Sequence, residues 1–130
     1  MNQAIQNKAF LLEYYNAVSG VKKTPELLAH YISDQALIDH ITFFDGAFPN
    51  YEIFADELTA EGNRVVVRAR FKGRHEGEWN GIPPSHRPVE FTFIIGYEIL
   101  NRKIVSQWLI ADQLTLLEQL GVEAVIASAQ

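Results

Sequence analysis

The sequence predicts an α+β fold, with helices collected before Pro49 and a curved antiparallel sheet built from the rest. Two observations carry this expectation. Apolar residues recur at three- and four-residue spacing as far as Phe48, and after Pro49 the period falls to two. Short turns, Glu61-Gly62-Asn63 and Asn101-Arg102, then separate strand-like segments from one another. Helices on one side of the chain and strands on the other are the pattern of an α+β domain.

The first helix is expected over 2–18, with Ile5, Ala9, Leu12 and Tyr15 on its apolar face and Phe10, Leu11, Tyr14 and Val18 widening it. Ser19-Gly20 ends it, because glycine tolerates the left-handed conformation of a helix terminus. Thr24-Pro25-Glu26 supplies a cap, a first-turn proline and an acid, so a second helix is expected over 24–32. A third, over 34–48, carries Leu37, Ile41, Phe44 and Phe48 on one stripe.

Residues 51–58 lean toward strand without clean alternation. Arg64 to Phe71 alternates, with Val65, Val67, Ala69 and Phe71 on one parity. A Gly- and Pro-rich loop from Gly73 to Pro88 follows. Val89–Leu100 places Phe91, Phe93, Ile95, Tyr97 and Ile99 on one face. Lys103–Asp112 is the last strand, Leu114–Leu120 a short helix stopped by Gly121, and the residues after Val122 read as a loose tail or weak helix.

Composition narrows the function. The chain has 130 residues, 48% of them hydrophobic, enough for one domain with its own core. Its formal charge is −5, from 16 acids and 11 bases, with no basic stripe, which argues against nucleic acid and against anionic membrane as partners. No cysteine is present, so disulfides, thiolate catalysis and Cys-bound zinc are excluded. No leader-like or membrane-length apolar run is visible, and a cytoplasmic location is expected. No His-x-His pair, nucleophile elbow or phosphate-binding glycine pattern is found, so neither a metal nor a cofactor is expected.

Two residues are candidates for acid/base chemistry. Asp112 ends an apolar strand on the parity of Ile104, Trp108 and Ile110, and burial there would raise its carboxyl pKa. The competing role is a helix cap, since Asp112 directly precedes the last helix, and the residue order alone favours it. His75 continues the parity of Val67, Ala69 and Phe71 and could shuttle a proton inside the fold, or be an ordinary loop histidine beside Glu76 and Glu78. His30, His40 and His86 are weaker candidates. Phe91, Phe93 and Tyr97, with Trp108 on the neighbouring strand, form an aromatic wall that is either plain core or one side of a pocket.

Several strings, in order, resemble one family. They are Phe48-Pro49-Asn50 before a strand, 60–68 (Ala-Glu-Gly-Asn-Arg-Val-Val-Val-Arg), 73–79 (Gly-Arg-His-Glu-Gly-Glu-Trp), Gly81-Ile82-Pro83-Pro84, Lys103-Ile104-Val105 running through Trp108 to Asp112, and 116–121 (Leu-Leu-Glu-Gln-Leu-Gly). Together they are similar to the SnoaL-like (ester cyclase) branch of the nuclear transport factor 2-like superfamily, over about residues 5–121.

The resemblance implies a cone-shaped sheet with three N-terminal helices on its concave face, an enclosed apolar pocket and a homodimer formed through the sheet. It implies metal- and cofactor-free ring closure of a polyketide by an intramolecular aldol step. Asp112 then stands at the acid/base position and His75 in the Gly-x-His-x-Gly loop, with Phe93, Tyr97, Trp108 and Trp79 as substrate contacts. Two departures stand out: the strand between the second and third helices is missing, and Gln107 replaces a histidine before the last-strand tryptophan.

The expected function is a cofactor-free cyclase- or isomerase-like enzyme acting on an apolar carbonyl compound. The alternatives are a non-catalytic small-molecule-binding module and an epoxide-hydrolase-like hydrolase. A dimer is also expected from the residues themselves, because the last strand is apolar on both faces and each face needs cover.

Overall fold

The computed structural model describes residues 2–121, so the expected tail after Val122 lies outside the described residues. Helix α1 (Gln3–Val18) starts where the Asn2 side chain accepts the Ala4 N–H at 2.7 Å. Its buried stripe runs through Asn7, Leu11, Tyr14 and Val18, flanked by Phe10 and Tyr15. That stripe is rotated from the expected one, and Ile5 and Leu12 are exposed.

Helix α2 (Pro25–Ala29) is shorter than the expected 24–32. Its continuation is drawn into the sheet edge instead. Tyr31 O accepts from Ile104 N at 2.7 Å, and Ser33 N donates to Ile104 O at 3.0 Å. The missing strand thus survives as a single parallel bridge, Ile32 to Ile104. Helix α3 (Gln35–Ala47) then buries Leu37, Ile38 and Ile41.

Four strands follow in the order β1 (Glu52–Glu61), β2 (Arg64–Arg74), β3 (Pro88–Leu100) and β4 (Lys103–Ala111), every neighbouring pair antiparallel. They form one curved sheet. Helix α4 (Gln113–Gln119) folds back on β3, where the Gln119 side chain pairs with the backbone of Glu90. Tyr14 and Tyr15 of α1 meet Tyr97 of β3, while Phe44 of α3 and the neighbouring Phe48 meet Phe71 of β2. These contacts seat α1 and α3 on the inward face of the sheet.

Two one-residue bulges set which side chains face inward. Pairing of β1 with β2 slips at Asp56, whose carboxylate is free to take a two-pronged hydrogen bond from Arg70 at 2.8 and 3.0 Å. Pairing of β3 with β4 slips at Val105, since Ile99 faces Ile104 but Glu98 faces Ser106. An extra residue reverses parity. Ile104 therefore points into the core, whereas Trp108 and Ile110 point outward and Gln107, Leu109 and Ala111 inward. Among the described residues no helix is long and apolar enough to cross a membrane.

Candidate functional site

The inward face of the sheet and helices α1, α3 and α4 border a partly open cavity of about 380 Å³. Its walls are mostly apolar, formed by Phe71, Phe91, Phe93 and Ile95 from the sheet and by Ile41 and Phe44 from α3. Trp79 and Asn80 border it from the β2–β3 loop. There Asn80 and Gly81, both with positive φ, form a tight turn closed by mutual hydrogen bonds between Trp79 and Ile82. Among the described residues no Asp, Glu, Lys or Arg lines the cavity, and His40 is its one basic side chain.

His40, Asn80, Gln107 and Gln113 add polar groups to the lining, and its buried polar groups are four tyrosines, Tyr14, Tyr15, Tyr51 and Tyr97. The hydroxyls of Tyr15 and Tyr97 lie 2.9 Å apart and share a hydrogen bond. Those of Tyr14 and Tyr51 make no hydrogen bond to the protein among the described residues. Burial pushes the Tyr15 phenol up to about 12, against the lowering effect of its bond to Tyr97. Burial likewise raises Tyr14, Tyr51 and Tyr97, and unfavourable charge interactions among the phenols add to the rise. At neutral pH the four are donors rather than phenolates. Sequence reasoning passed over Tyr14, Tyr15 and Tyr51, because at helical spacing or in an irregular strand they read as core.

Of the residues singled out in the sequence, Phe93, Tyr97 and Trp79 line the cavity, as do Phe91 and the weaker candidate His40, whereas Asp112, His75 and Trp108 do not. Trp108 is on the opposite face, 52% exposed and packed over Gly96, where a Cβ would fall 2.2 Å from the indole. The expectation that Trp108 and Asp112 share an interior face is corrected by the bulge at Val105.

Asp112 is exposed and caps α4, its carboxylate accepting the Thr115 N–H at 3.1 Å and the Thr115 hydroxyl at 2.7 Å. Those bonds hold its carboxyl below the usual value, opposite in direction to the expected rise.

His75 is completely buried, the interior position its parity allowed, but outside the cavity lining. Its ring stacks on Phe48 at 5.4 Å, and Nδ1 accepts the Ser85 N–H at 3.1 Å. The neutral ring therefore carries its proton on Nε2, which has no partner. Bonds from His75 N to Arg87 O and from His86 N to His75 O tie the two sides of the loop together. His75 is a pin for the loop.

Similarity to known proteins agrees with this architecture. Among curated proteins none matches the chain. Solved structures with the same fold include a SnoaL-like polyketide cyclase candidate from Jannaschia sp. CCS1, with TM-score 0.79 and 19% identity, covering 95% of this chain and 96% of that one. AclR, a hydroxylase candidate from Streptomyces galilaeus, has TM-score 0.74 and 22% identity over 97% of this chain and 90% of its own. IdmH, a polyketide cyclase candidate from Streptomyces antibioticus, has TM-score 0.72 and 24% identity over 90% and 99%. The model of the SnoaL-like polyketide cyclase family matches residues 10–120, most of the sequence and every helix and strand described above except the first turns of α1, so the chain belongs to that family.

Proposed function

We propose that this protein is a cofactor-free cyclase- or isomerase-like enzyme whose substrate is a neutral, largely apolar carbonyl compound of polyketide type. The observation that carries the reading is the Tyr15–Tyr97 hydroxyl pair buried at a cavity lined by no carboxylate among the described residues. Within the pair one hydroxyl donates to the other, and the accepting oxygen keeps its own proton to donate outward. A donor polarised by such a chain is strengthened, and away from water it stabilises charge growing on a carbonyl oxygen as an enolate forms. The α-proton needs an acceptor, and we assign that role to His40, the one basic side chain on the wall among the described residues.

Replacing Tyr97 by Phe tests the reading. With a hydroxyanthraquinone as probe, affinity measured by calorimetry should fall about tenfold, the worth of one hydrogen bond to a buried oxygen. Affinity for anthracene, of similar shape without oxygens, should not change. Equal loss for both probes would sink the proposal. The carboxylate-free lining also favours a second reading, a binding module without turnover. Under it, His40→Ala would leave both binding and every rate unchanged.

We also propose that two chains pair through the outer sheet face. Trp108 and Ile110 are 52% and 67% exposed there, beside Val66 and Ile94, and form an apolar patch that water does not favour. Light scattering should return twice 14.7 kDa for the parent and 14.7 kDa for Ile110→Lys. A monomeric parent at micromolar concentration would rule pairing out.

A further inference from the structure

Lys23 is 1% exposed, which is rare for a lysine and costly unless the charge is matched. Its Nζ donates to Val21 O and Tyr51 O, both at 2.8 Å, and to Asp45 Oδ1 at 3.4 Å. Three acceptors require three N–H bonds, and only the ammonium form has them. Asp45, also buried, accepts the Asn50 N–H at 3.1 Å and the Lys23 N–H at 3.3 Å. The pair therefore joins the α1–α2 loop, the end of α3 and the start of β1.

A methionine could fill much of this space without desolvating a charge. What methionine could not supply lies above the ammonium. Nζ sits 3.8 Å from the centroid of the Tyr51 ring, against its face. Phe44 meets the same ring edge-on at 5.6 Å and Phe71 lies tilted at 4.8 Å, so the ring is held in place. The hydroxyl of that ring is one of the two cavity phenols with no partner in the protein among the described residues, and Tyr51 lines the cavity.

We propose that Lys23 is a positioning residue: its buried ammonium, seated on the ring of Tyr51, strengthens the Tyr51 hydroxyl as a hydrogen-bond donor to an oxygen of the bound molecule. The inference rests on the cavity being the ligand site. A cation on the π face stabilises negative charge developing on the phenol oxygen and so makes its O–H more acidic. Burial and the charges of Tyr14, Asp45 and Tyr15 act the other way on this phenol. Lys23 opposes them from the ring face on which its Nζ sits. Its partner is a neutral oxygen acceptor, a carbonyl or quinone oxygen, placed second to the Tyr15–Tyr97 pair.

The test reads the phenol directly, without ligand, so its failure is distinct from failure of the proposed function. Tyr51 is replaced by a difluorinated tyrosine, whose phenol titrates well below tyrosine's, and its midpoint is followed by fluorine NMR. Lys23→Met alone would strand Asp45, so the comparison is between Asp45→Asn and the double variant Lys23→Met/Asp45→Asn. Both lack the carboxylate and differ in the Lys23 side chain, whose Nζ is checked by nitrogen NMR to remain an ammonium through the phenol titration, because burial lowers its pKa and Asp45 is what opposes this. The double variant should bind the phenol proton about tenfold more tightly, a midpoint about one pH unit higher. A midpoint unchanged between the two, in folded protein, would overturn the proposal and leave Lys23 a structural tie. So would a double variant that does not fold while Asp45→Asn does.

Discussion

Polar side chains are buried in two places in this molecule, on opposite terms. Around His75 most of the polar capacity is turned on the protein itself, where the ring accepts a backbone N–H from Ser85 and its own backbone bonds Arg87 and His86, with only Nε2 left unpartnered and sealed outside the cavity lining. At the tyrosine end of the cavity, two hydroxyls bond only each other and two bond nothing in the protein among the described residues. The first arrangement holds a loop. The second leaves donors available to a bound molecule. An unmade hydrogen bond is therefore a guide to function only where its group borders a cavity, as Tyr14 and Tyr51 do and His75 does not.

Alkali should break the tyrosine end first and with the largest effect. All four phenols have folded-state pKa values above the ordinary 10.0, so the stability they confer is fully present below pH 10.0 and is lost as pH rises through the folded values. For Tyr15, raised to about 12, the contribution is roughly 2–3 kcal/mol. Unfolding followed by circular dichroism should become steeply pH-dependent above 10, and in a Tyr31→Phe background tyrosinate absorbance should appear only as the fold is lost. Ionisation of these tyrosines well before unfolding would show that the phenols are open to water and would remove the comparison.

The same contrast explains what could be read in the sequence. Helical and strand periods located α1, α3, β2 and β3, because one face of each is buried and a period of two or three to four follows from that, while α2 was marked by its cap and first-turn proline. Strand β1 alternated poorly, because the bulge at Asp56 changes its parity midway. The site was harder to read. Strand β4 is apolar on both faces, so alternation alone could not say which face turns inward, and the extra residue at Val105 put Trp108 and Asp112 on the wrong side. Tyr14 and Tyr15 fell within the apolar face of α1, where nothing local separates a core tyrosine from one lining a cavity. Only the contact of Tyr15 with Tyr97, 82 residues away in sequence, distinguishes them.

A smaller effect is expected at His75. Replacing it by Phe keeps the stacking on Phe48 and removes the unpartnered Nε2, but leaves the Ser85 N–H without its acceptor. These changes partly cancel, and a net loss of about 1 kcal/mol is expected from denaturant unfolding. Ligand affinity should fall little, since the ring is outside the cavity lining. Loss of catalysis at full stability would restore His75 to a chemical role and blur the line between the two regions.

The smallest effect belongs to Asp112, at the end of β4. Its carboxylate accepts two hydrogen bonds from Thr115 while open to solvent, and they depress its pKa below 3.8. A depressed carboxyl contributes stability that is present above the unfolded value and disappears as pH falls through the folded one. Acidification below pH 3.8 should therefore weaken α4 slightly, and this contribution should be absent in Asp112→Ala. At neutral pH Asn caps nearly as well as Asp, so Asp112→Asn should melt close to the parent and Asp112→Ala a few degrees lower at most. Neither variant should alter binding of the anthraquinone probe, because the carboxylate faces water rather than the phenols. The carboxyl carbon shift, followed by NMR titration, gives the direct check. A midpoint above 3.8 would mean that Asp112 turns inward in solution and belongs with the tyrosines. A midpoint below it leaves Asp112 with the polar groups whose bonds are already spent.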